Sequence, residues 1–486
     1  MASREKGMLV PSADIRHLHL IGICGTAMGA LAVLLKERGF RVTGSDNAVY
    51  PPMSEVLRDH DIPVMSAYSR DNITPPPDIV VIGNALSRGN EEVEAVLERK
   101  IPFVSLPEAL REFFIRGSTS IVVTGTHGKT TTSSLLAWIL DFAGLQPGFM
   151  IGGVPANFGV GARAGSGRFF VSEGDEYDTA FFDKRSKFLH YLPDIVIVNN
   201  IEFDHADIFA DIGEIELSFR RLLNIIPRNG LVVANRDDSR VVRLTEHTWP
   251  PKVTFSLSGD ANWHARNVCD TACGTTFDLV GPCGQITCEL PLFGRHNVRN
   301  ALAVVAVCAH VGVSLEQIRD GMRSFKGVRR RLEKLFDAHQ IVLYDDFAHH
   351  PTAITETLRG VRAAHSGSRV WAVFEPRSNT TVRRFFQTEL ADALACADVV
   401  RLGAVHRNDR IPASERLDVA RLVSDLRERG ADAESVPDVS RLSEEIASHA
   451  RAGDVIVVMS NGGFGGLTGL LRDALEKRFG ASESAT

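Results

Sequence analysis

"VVTGTHGKTTTSSLLAWIL", Val122 to Leu140, sets a β-branched apolar run, a glycine loop and an apolar-patterned segment in direct succession. A buried strand, a tight loop and a helix fit that order, because the periodicity changes at the glycines. Gly125, Thr126, His127 and Gly128 form a loop whose backbone amides can converge on phosphate oxygens, and the start of the following helix adds partial positive charge. Lys129 can then reach a terminal phosphate, and Thr130, followed by Thr131, is placed to bind Mg²⁺. The usual phosphate-loop spacing has four residues between the first glycine and the Gly-Lys pair, whereas here two intervene. The rest of the chain has to decide the matter.

A bound triphosphate needs a metal, and acidic groups follow at the expected places. "VSEGDEYD" puts Glu173, Asp175, Glu176 and Asp178 after one strand, and "NNIEFDHADIF" puts Asp204, His205 and Asp207 after the next. Carboxylates with a neutral imidazole at adjacent strand ends suit divalent cations shared between protein and substrate oxygens. Farther on, "YDDFAHHP" offers Asp345, Asp346, His349 and His350 at another strand end, before a helix begun by Pro351. His296, Asn297 and Asn300 in "GRHNVRNALA" sit three or four residues apart, so one helix face could meet a purine edge.

Working outward, the chain alternates strand and helix nearly throughout, which implies parallel, doubly wound sheets. Three units are expected: residues 1–115, a Rossmann-like domain; 116–326, the central domain carrying the loop; and 327–486, a second Rossmann-like domain beginning within the basic run "FKGVRRRLE". Between residues 251 and 293 the helical signal vanishes, and "KVTFSLS", "TTFDLVG" and "QITCELPLFG" read as short antiparallel strands of a small lobe. Cys269, Cys273, Cys283 and Cys288 fall here, with His264 nearby; their gaps are looser than paired zinc spacings, and they read as buried thiols on strands. The tail "GASESAT" reads as disordered.

In the first unit "HLHLIGICGTAMGA", with Asp46 about two dozen residues beyond the glycines, mimics a dinucleotide fingerprint. Cys24 stands where a glycine should let backbone approach a pyrophosphate, which counts against a nicotinamide cofactor. Bulk properties exclude other classes. The 486 residues are 44% hydrophobic and 23% charged, ordinary for a globular protein. With 54 Lys+Arg against 60 Asp+Glu, nothing marks a nucleic acid or an anionic membrane as partner. The first twenty residues lack a secretory apolar core, and seven cysteines fit reduced thiols, so a cytoplasmic protein is expected.

The set "GTHGKT", "SEGDEYD", "NNIEFDHADIF", "GRHNVRNALA", "GVRRRLE" and "DDFAHHP", in this order over nearly the whole chain, resembles the Mur ligases, ATP-dependent amide-forming enzymes of peptidoglycan assembly. In that family the phosphate loop has the short form found here. The resemblance implies a three-domain α/β architecture with a P-loop ATPase-like centre between Rossmann-like ends. Lys129 would hold ATP phosphates, Thr130 and Glu173 one Mg²⁺, and His205 a second metal; Lys129, Glu173 and His205 are thus the expected catalytic residues. Asn300, with Asn297, would face adenine, Asp346 the ribose, and Arg331 the phosphates across a domain gap. A uridine diphosphate sugar would lie near Gly22, Ile23, Cys24, Gly25 and Thr26, with Asp46 and Asn84 beside it. Arg377, Ser378 and Asn379 of "FEPRSNT", with His349, would meet the incoming peptide, because guanidinium pairs with carboxylate bidentately.

Wording such as "DEYDTAFFDKRSKFLHYLPDIVIVNNIEFDHADIF" resembles the branch that attaches L-alanyl-γ-D-glutamyl-meso-diaminopimelate to UDP-N-acetylmuramate in recycling; the branch that attaches L-alanine is the alternative. The lysine that several members carbamylate near the second metal has no counterpart between Lys187 and Lys252. A monomer or homodimer is expected. The third unit is expected to close over the second.

Overall fold

The computed structural model describes residues 15–50, 53–206, 208–271, 273–406 and 411–479. Within them the chain forms three large sheets in series and a small two-stranded one, Asp178–Ala180 with Asp183–Ser186. Asp207 and the tail after residue 479 lie outside the described residues.

The first sheet is parallel and five-stranded, with His17–Ile21 at its centre between Arg41–Ser45 and Ile79–Ile82. Leu18, Leu20 and Ile21 are fully buried, as a strand covered on both faces requires. The helix Thr26–Glu37 returns the chain, and Gly39 takes φ +91° just beyond it, a backbone conformation that side chains with a Cβ resist.

The central sheet holds ten strands among the described residues. At its heart Thr119–Thr124 lies between Ile195–Val198 and Phe169–Gly174, all parallel. Thr124 pairs level with Val198 on one side and Gly174 on the other. The three segments that follow, starting at Gly125, Asp175 and Asn199, therefore leave the sheet at the same edge. That shared exit is what assembles the site, as expected at the carboxyl ends of parallel strands.

One detail of the sequence reading is revised. Lys252–Ser256 does not belong to an antiparallel lobe; it pairs parallel with Leu231–Asn235, and the following strand, Trp263–Thr271, begins parallel to it. The antiparallel part is Trp263–Thr271, Gly274–Gly281 and Gly284–Leu290, which extends the same sheet. The short helix Ser239–Leu244 intervenes and makes the connection a crossover; an alternating pattern alone cannot tell a parallel edge strand from an antiparallel one. Of the four thiols expected to be buried on strands, Cys288 alone is buried; Cys269 is on an exposed part of its strand, and Cys273 and Cys283 fall in the turns between strands and are exposed.

The third sheet has six strands. Ile341–Asp346, Asp454–Met459 and Arg369–Phe374 are its parallel centre, with Met459 level with both Asp346 and Phe374. The exits at Phe347, Glu375 and Ser460 converge as those of the central sheet do.

The first two units share a core in which Leu110 and Phe114 pack with Phe170, Phe188 and Phe219. At its rim Phe103 meets Phe182 edge-on at 5.0 Å. Next to Phe182, the Asp183 carboxylate accepts a bidentate pair from Arg185 at 2.9 and 2.7 Å, with the His190 imidazole 2.9 Å away. The Arg185 bonds hold the Asp183 carboxyl down at about 2. A depression of that size corresponds to about 2 kcal/mol at ~1.36 kcal/mol per pKa unit, reduced to about 1 kcal/mol by solvent screening at this partly open position. Because the folded value lies below the unfolded one, the contribution is full above the ordinary aspartate range and disappears as pH falls through about 2. Asp183→Asn should therefore lower the melting temperature by about 1–2 °C at pH 7, with the difference shrinking below pH 4. Circular-dichroism melts across pH would show this, and a pH-independent difference would contradict it.

Candidate active site

The loop after Thr119–Thr124 is held by side chains from the neighbouring strand exit. Asn200 Oδ1 accepts from His127 N at 2.8 Å while its Nδ2 donates to His127 O at 3.0 Å. Thr126 Oγ1 accepts from Glu202 N at 2.8 Å. Gly125 and Gly128 adopt φ +136° and +82°, and a Cβ on Gly128 would come within 2.6 Å of Asn300 Oδ1. Glycine is thus required both by conformation and by the close approach of Asn300. The helix Lys129–Phe142 begins with no side-chain cap, so its first amides remain available to an anion.

Acidic groups gather in front of these amides. Lys129 Nζ donates to Gly125 O at 2.8 Å and to Glu176 Oε2 at 2.9 Å. Burial alone would lower its pKa, but Glu176, Asp175 and Glu173 outweigh burial and raise it. Thr130 Oγ1 donates to Glu173 Oε2 at 3.2 Å, and Glu173 Oε1 accepts from Gly152 N at 2.8 Å. Burial, with Asp175 beside it, pushes the Glu173 carboxyl up to about 7. His205 Nε2 lies 3.7 Å from the other oxygen of Glu176, and His205 takes a left-handed φ of +56°. Such strain persists only where surrounding structure imposes it; here His205 N donates to Asp204 Oδ1 at 2.7 Å.

The third unit reaches into this cluster. Arg331 Nη2 donates to Thr130 Oγ1 at 3.2 Å, and its guanidinium lies 4.6 Å from the centre of the Phe347 ring. Asp346 accepts from Leu332 N at 2.7 Å and Ala348 N at 2.8 Å, so it braces the turn that carries Arg331. Thr380 Oγ1 donates to Asp204 Oδ1 at 2.8 Å, and Thr352 Oγ1 to Glu202 Oε2 at 2.6 Å. The sequence placed Arg331 and Asp346 on a separate unit that must close to meet the loop. In the structure the third unit already lies against the loop, with Arg331 on Thr130.

Beside the cluster opens a cavity of about 530 Å³ that has His205, His349, Arg377, Ser378 and Asn379 among its lining residues. All four residues expected to meet a peptide thus line one cavity together with His205. Arg377 is fixed by Glu375 at 3.3 Å and packs so closely on Gly462 that a Cβ there would come within 2.0 Å of its Nε. Arg383, His406 and Asn461 also line the cavity and were not foreseen. The signals were faint: a second arginine six residues after Arg377, and an asparagine at the exit of a strand far away in the chain.

Asn297 and Asn300 are buried on the helix Arg295–His310, joined by Asn300 Nδ2 to Asn297 Oδ1 at 3.3 Å, with Asn300 against Gly128. Thr131, also on the loop helix, is buried. In the first unit, Gly22 N and Ile23 N both donate to Ser45 O, and Cys24 N donates to Asp46 Oδ2 at 2.9 Å. Gly25 stands at the head of the helix that begins with Thr26, without a side-chain cap. Asp46 therefore braces the glycine turn, and Asn84 Nδ2 donates across the domain boundary to Asp178 O at 3.1 Å. Among the described residues no helix is long and apolar enough to cross a membrane.

Three family models match consecutive parts of the chain: "Mur ligase family, catalytic domain" over residues 17–117, "Mur ligase middle domain" over 123–308, and "Mur ligase, glutamate ligase domain" over 330–462. The chain is 42% identical over 469 residues to the UDP-N-acetylmuramate–L-alanyl-gamma-D-glutamyl-meso-2,6-diaminoheptandioate ligase of Escherichia coli K12, covering 96% of this chain and 100% of that one. It is 34% identical over 463 residues to the UDP-N-acetylmuramate–L-alanine ligase of Acetivibrio thermocellus, covering 94% and 96%. The crystal structure of a murein peptide ligase from Psychrobacter arcticus superposes with a TM-score of 0.71 at 35% identity, covering 95% of this chain and 98% of that one. With all three domains matched in order and a relative this similar across nearly its full length, the chain belongs to the Mur ligase family.

Proposed function

We propose that this Mur ligase uses ATP to join L-alanyl-γ-D-glutamyl-meso-diaminopimelate to UDP-N-acetylmuramate, a reaction that would return a released wall peptide to the nucleotide sugar. The observation that carries the reading is the meeting, in one site, of the Lys129 loop, Arg331 and a peptide-sized cavity. Small-molecule pockets occupy roughly 300–1,000 Å³; a cavity of about 530 Å³ would be left mostly to water by a single alanine, whereas a tripeptide has the bulk and the carboxylates to fill it. The greater similarity to the tripeptide-adding relative than to the L-alanine-adding one supports the same choice.

In this reading the muramyl carboxylate attacks the γ-phosphorus, the bond to the β-phosphate oxygen breaks, and ADP leaves an acyl phosphate. The peptide's free amine then attacks the acyl carbon, loses its proton, and displaces inorganic phosphate as the amide forms. The loop amides and Lys129 would hold the phosphate tail, and Arg331 would face it from the other side of the gap. Asn297 and Asn300 would stand toward the base and Asp346 toward the ribose. The turn from Gly22 to Thr26, with Asp46 and Asn84, would take the uridine diphosphate. Arg377, assisted by Ser378, Asn379 and His349, would bind peptide carboxylates. Thr130 and Glu173 fit Mg²⁺, since they offer hard oxygen donors 3.2 Å apart and the buried Glu173 carboxyl is raised to about 7 in the absence of a cation; His205 stands near as a further ligand. Such an ion would neutralise charge on the transferring phosphoryl group. Catalysis then lies mainly in positioning and in exclusion of water by the closed third unit.

The test is ADP release with each acceptor separately. Release should require UDP-N-acetylmuramate together with the tripeptide, with L-alanine at least about a hundredfold poorer, because the cavity's polar groups stay unpaired without the longer ligand. Equal or better turnover with L-alanine would replace this reading with the alternative, and ADP release without an amine would remove the ligase chemistry.

A further inference from the structure

At the junction of the central and third units, three side chains that the proposed ligation does not use point at one another. His127 Nε2 lies 3.4 Å from Glu202 Oε2, and His350 Nδ1 lies 3.7 Å from the same oxygen. The two imidazole rings are 4.6 Å apart between centres. His127 Nε2 is buried without a hydrogen-bond partner. One potential ligand atom from each of the three lies within 4.8 Å of the other two. Ligands about 2.0–2.2 Å from a tetrahedral Zn²⁺ ion are about 3.3–3.6 Å apart, close to the two shorter spacings here, so a modest approach of the two imidazoles would bring all three onto one ion.

The surroundings orient these groups as a metal site would require. His350 Nε2 lies 3.3 Å from Phe203 O, and an N–H there donating to that carbonyl leaves the lone pair on Nδ1, facing Glu202. Thr352 Oγ1 donates to Glu202 Oε2 at 2.6 Å, fixing the carboxylate. An imidazole whose far nitrogen bonds a backbone carbonyl, and a carboxylate held by a hydroxyl, are the usual outer supports of metal ligands. His350 Nδ1 also accepts from Thr352 N at 3.3 Å as a helix cap, a long contact that metal ligation would replace.

The geometry points to a binding site for a zinc-class divalent cation formed by His127, Glu202 and His350, distinct from the proposed magnesium position and spanning two domains. Two nitrogen donors favour zinc or cobalt over magnesium, which prefers oxygen. Three protein ligands leave a fourth position open to water or to an oxygen of a bound substrate. Because His127 and Glu202 belong to the central unit and His350 to the third, an ion bound there stabilises the closed arrangement in proportion to its preference for that state. The inference is independent of which peptide the enzyme joins.

Cobalt(II) alone, added to the metal-free protein, is the probe, read by its visible absorption and by calorimetry. To remove competing thiols, the experiment uses the C269S/C273S/C283S variant, whose three changed positions are exposed. One equivalent should bind with the absorption of a tetrahedral nitrogen–oxygen site. Glu202→Gln and His350→Asn should each weaken binding at least about tenfold; the asparagine keeps a helix-capping acceptor, so folding is preserved. His205→Ala should leave the signal in place. Absence of binding, binding unaffected by His350→Asn, or loss of binding in His205→Ala would overturn the assignment, the last by placing the ion at the magnesium position. No ligase substrate is present, so failure here is separate from failure of the ADP-release test.

Discussion

Lys129→Ala should lower ligation by at least about a thousandfold while leaving UDP-N-acetylmuramate binding and the fold intact. The size follows from the position of the ammonium group. It is largely shielded from solvent, bonded to Gly125 O and Glu176, and surrounded by Glu173 and Asp175. A preorganised charge in a water-poor site is worth far more than one in solvent, and loss of a single such donor from a transition state commonly costs 10²–10³ in rate. Lys129 would serve both binding and reaction, so the upper end or beyond is expected. Removal also strands Glu176 beside His205, and a buried carboxylate without its partner destabilises a protein. Lys129→Met is therefore the companion variant, since it keeps the packing of the long side chain around Glu176. Calorimetry with ATP and with the nucleotide sugar separates the effects: adenylate affinity should fall and nucleotide-sugar affinity should not. A Lys129→Met protein that still ligates within tenfold of the parent would remove the phosphate loop from the mechanism.

That loop was legible because its chemistry is local. Gly125, Gly128, Lys129 and Thr130 are adjacent in the chain, and glycine, amine and hydroxyl each have one evident use between a strand and a helix. The acidic exits at Glu173 and His205 were legible for a similar reason, each following a strand whose neighbours could be inferred from parallel topology. What the sequence concealed depends on distance along the chain. Asn200 and Glu202 stood inside "NNIEFDHADIF" without a legible role, because the partner of Asn200 is the backbone of the loop and that of Glu202 is Thr352, 150 residues away. Asp46 and Asn84, expected beside the nucleotide sugar, also bond to the protein itself, one to the glycine turn and one to the Asp178 carbonyl. Polar residues at strand exits are ambiguous in this way, since the same side chain that could bind a ligand can also satisfy the turn that presents it.

The junction of the central and third units gives that ambiguity a consequence. Several bonds that cross from the central to the third unit end on residues that also serve the site: Thr130, Asp204 and Glu202 each have a partner on the far side. The contacts between the two units thus fall on residues of the site itself, so a substitution on the third unit can impair the phosphate loop without touching it in sequence.

Arg331→Ala is the sharpest case, with an expected loss of about 10²–10³ in kcat. The backbone on both sides of this arginine is left-handed, Arg330 at φ +60° and Leu332 at φ +48°. Neither is glycine, and each costs on the order of 1 kcal/mol or more, which the structure sustains through Asp346 holding Leu332 N and through Arg330 bonded to Ser460 O and Gly462 O. The result of that strain is to turn Arg331 back over Phe347 and onto Thr130. Burial disfavours its charge, and Asp346 and Glu173 oppose that tendency, so the guanidinium is held where only a further anion would complete its surroundings. In the proposed reaction a cation held at this junction would face the phosphates and contribute to the transition state more than to initial binding; arginines so placed are worth 10³–10⁵ in some phosphoryl-transfer enzymes. The expected signature is a fall in kcat with unchanged affinity for the nucleotide sugar, whose proposed site lies on another unit. Arg331→Lys should recover little, since an ammonium cannot span Thr130 and a phosphate as a planar fork does. A kcat within threefold of the parent in Arg331→Ala, with the fold preserved, would mean that the closed contact serves structure alone.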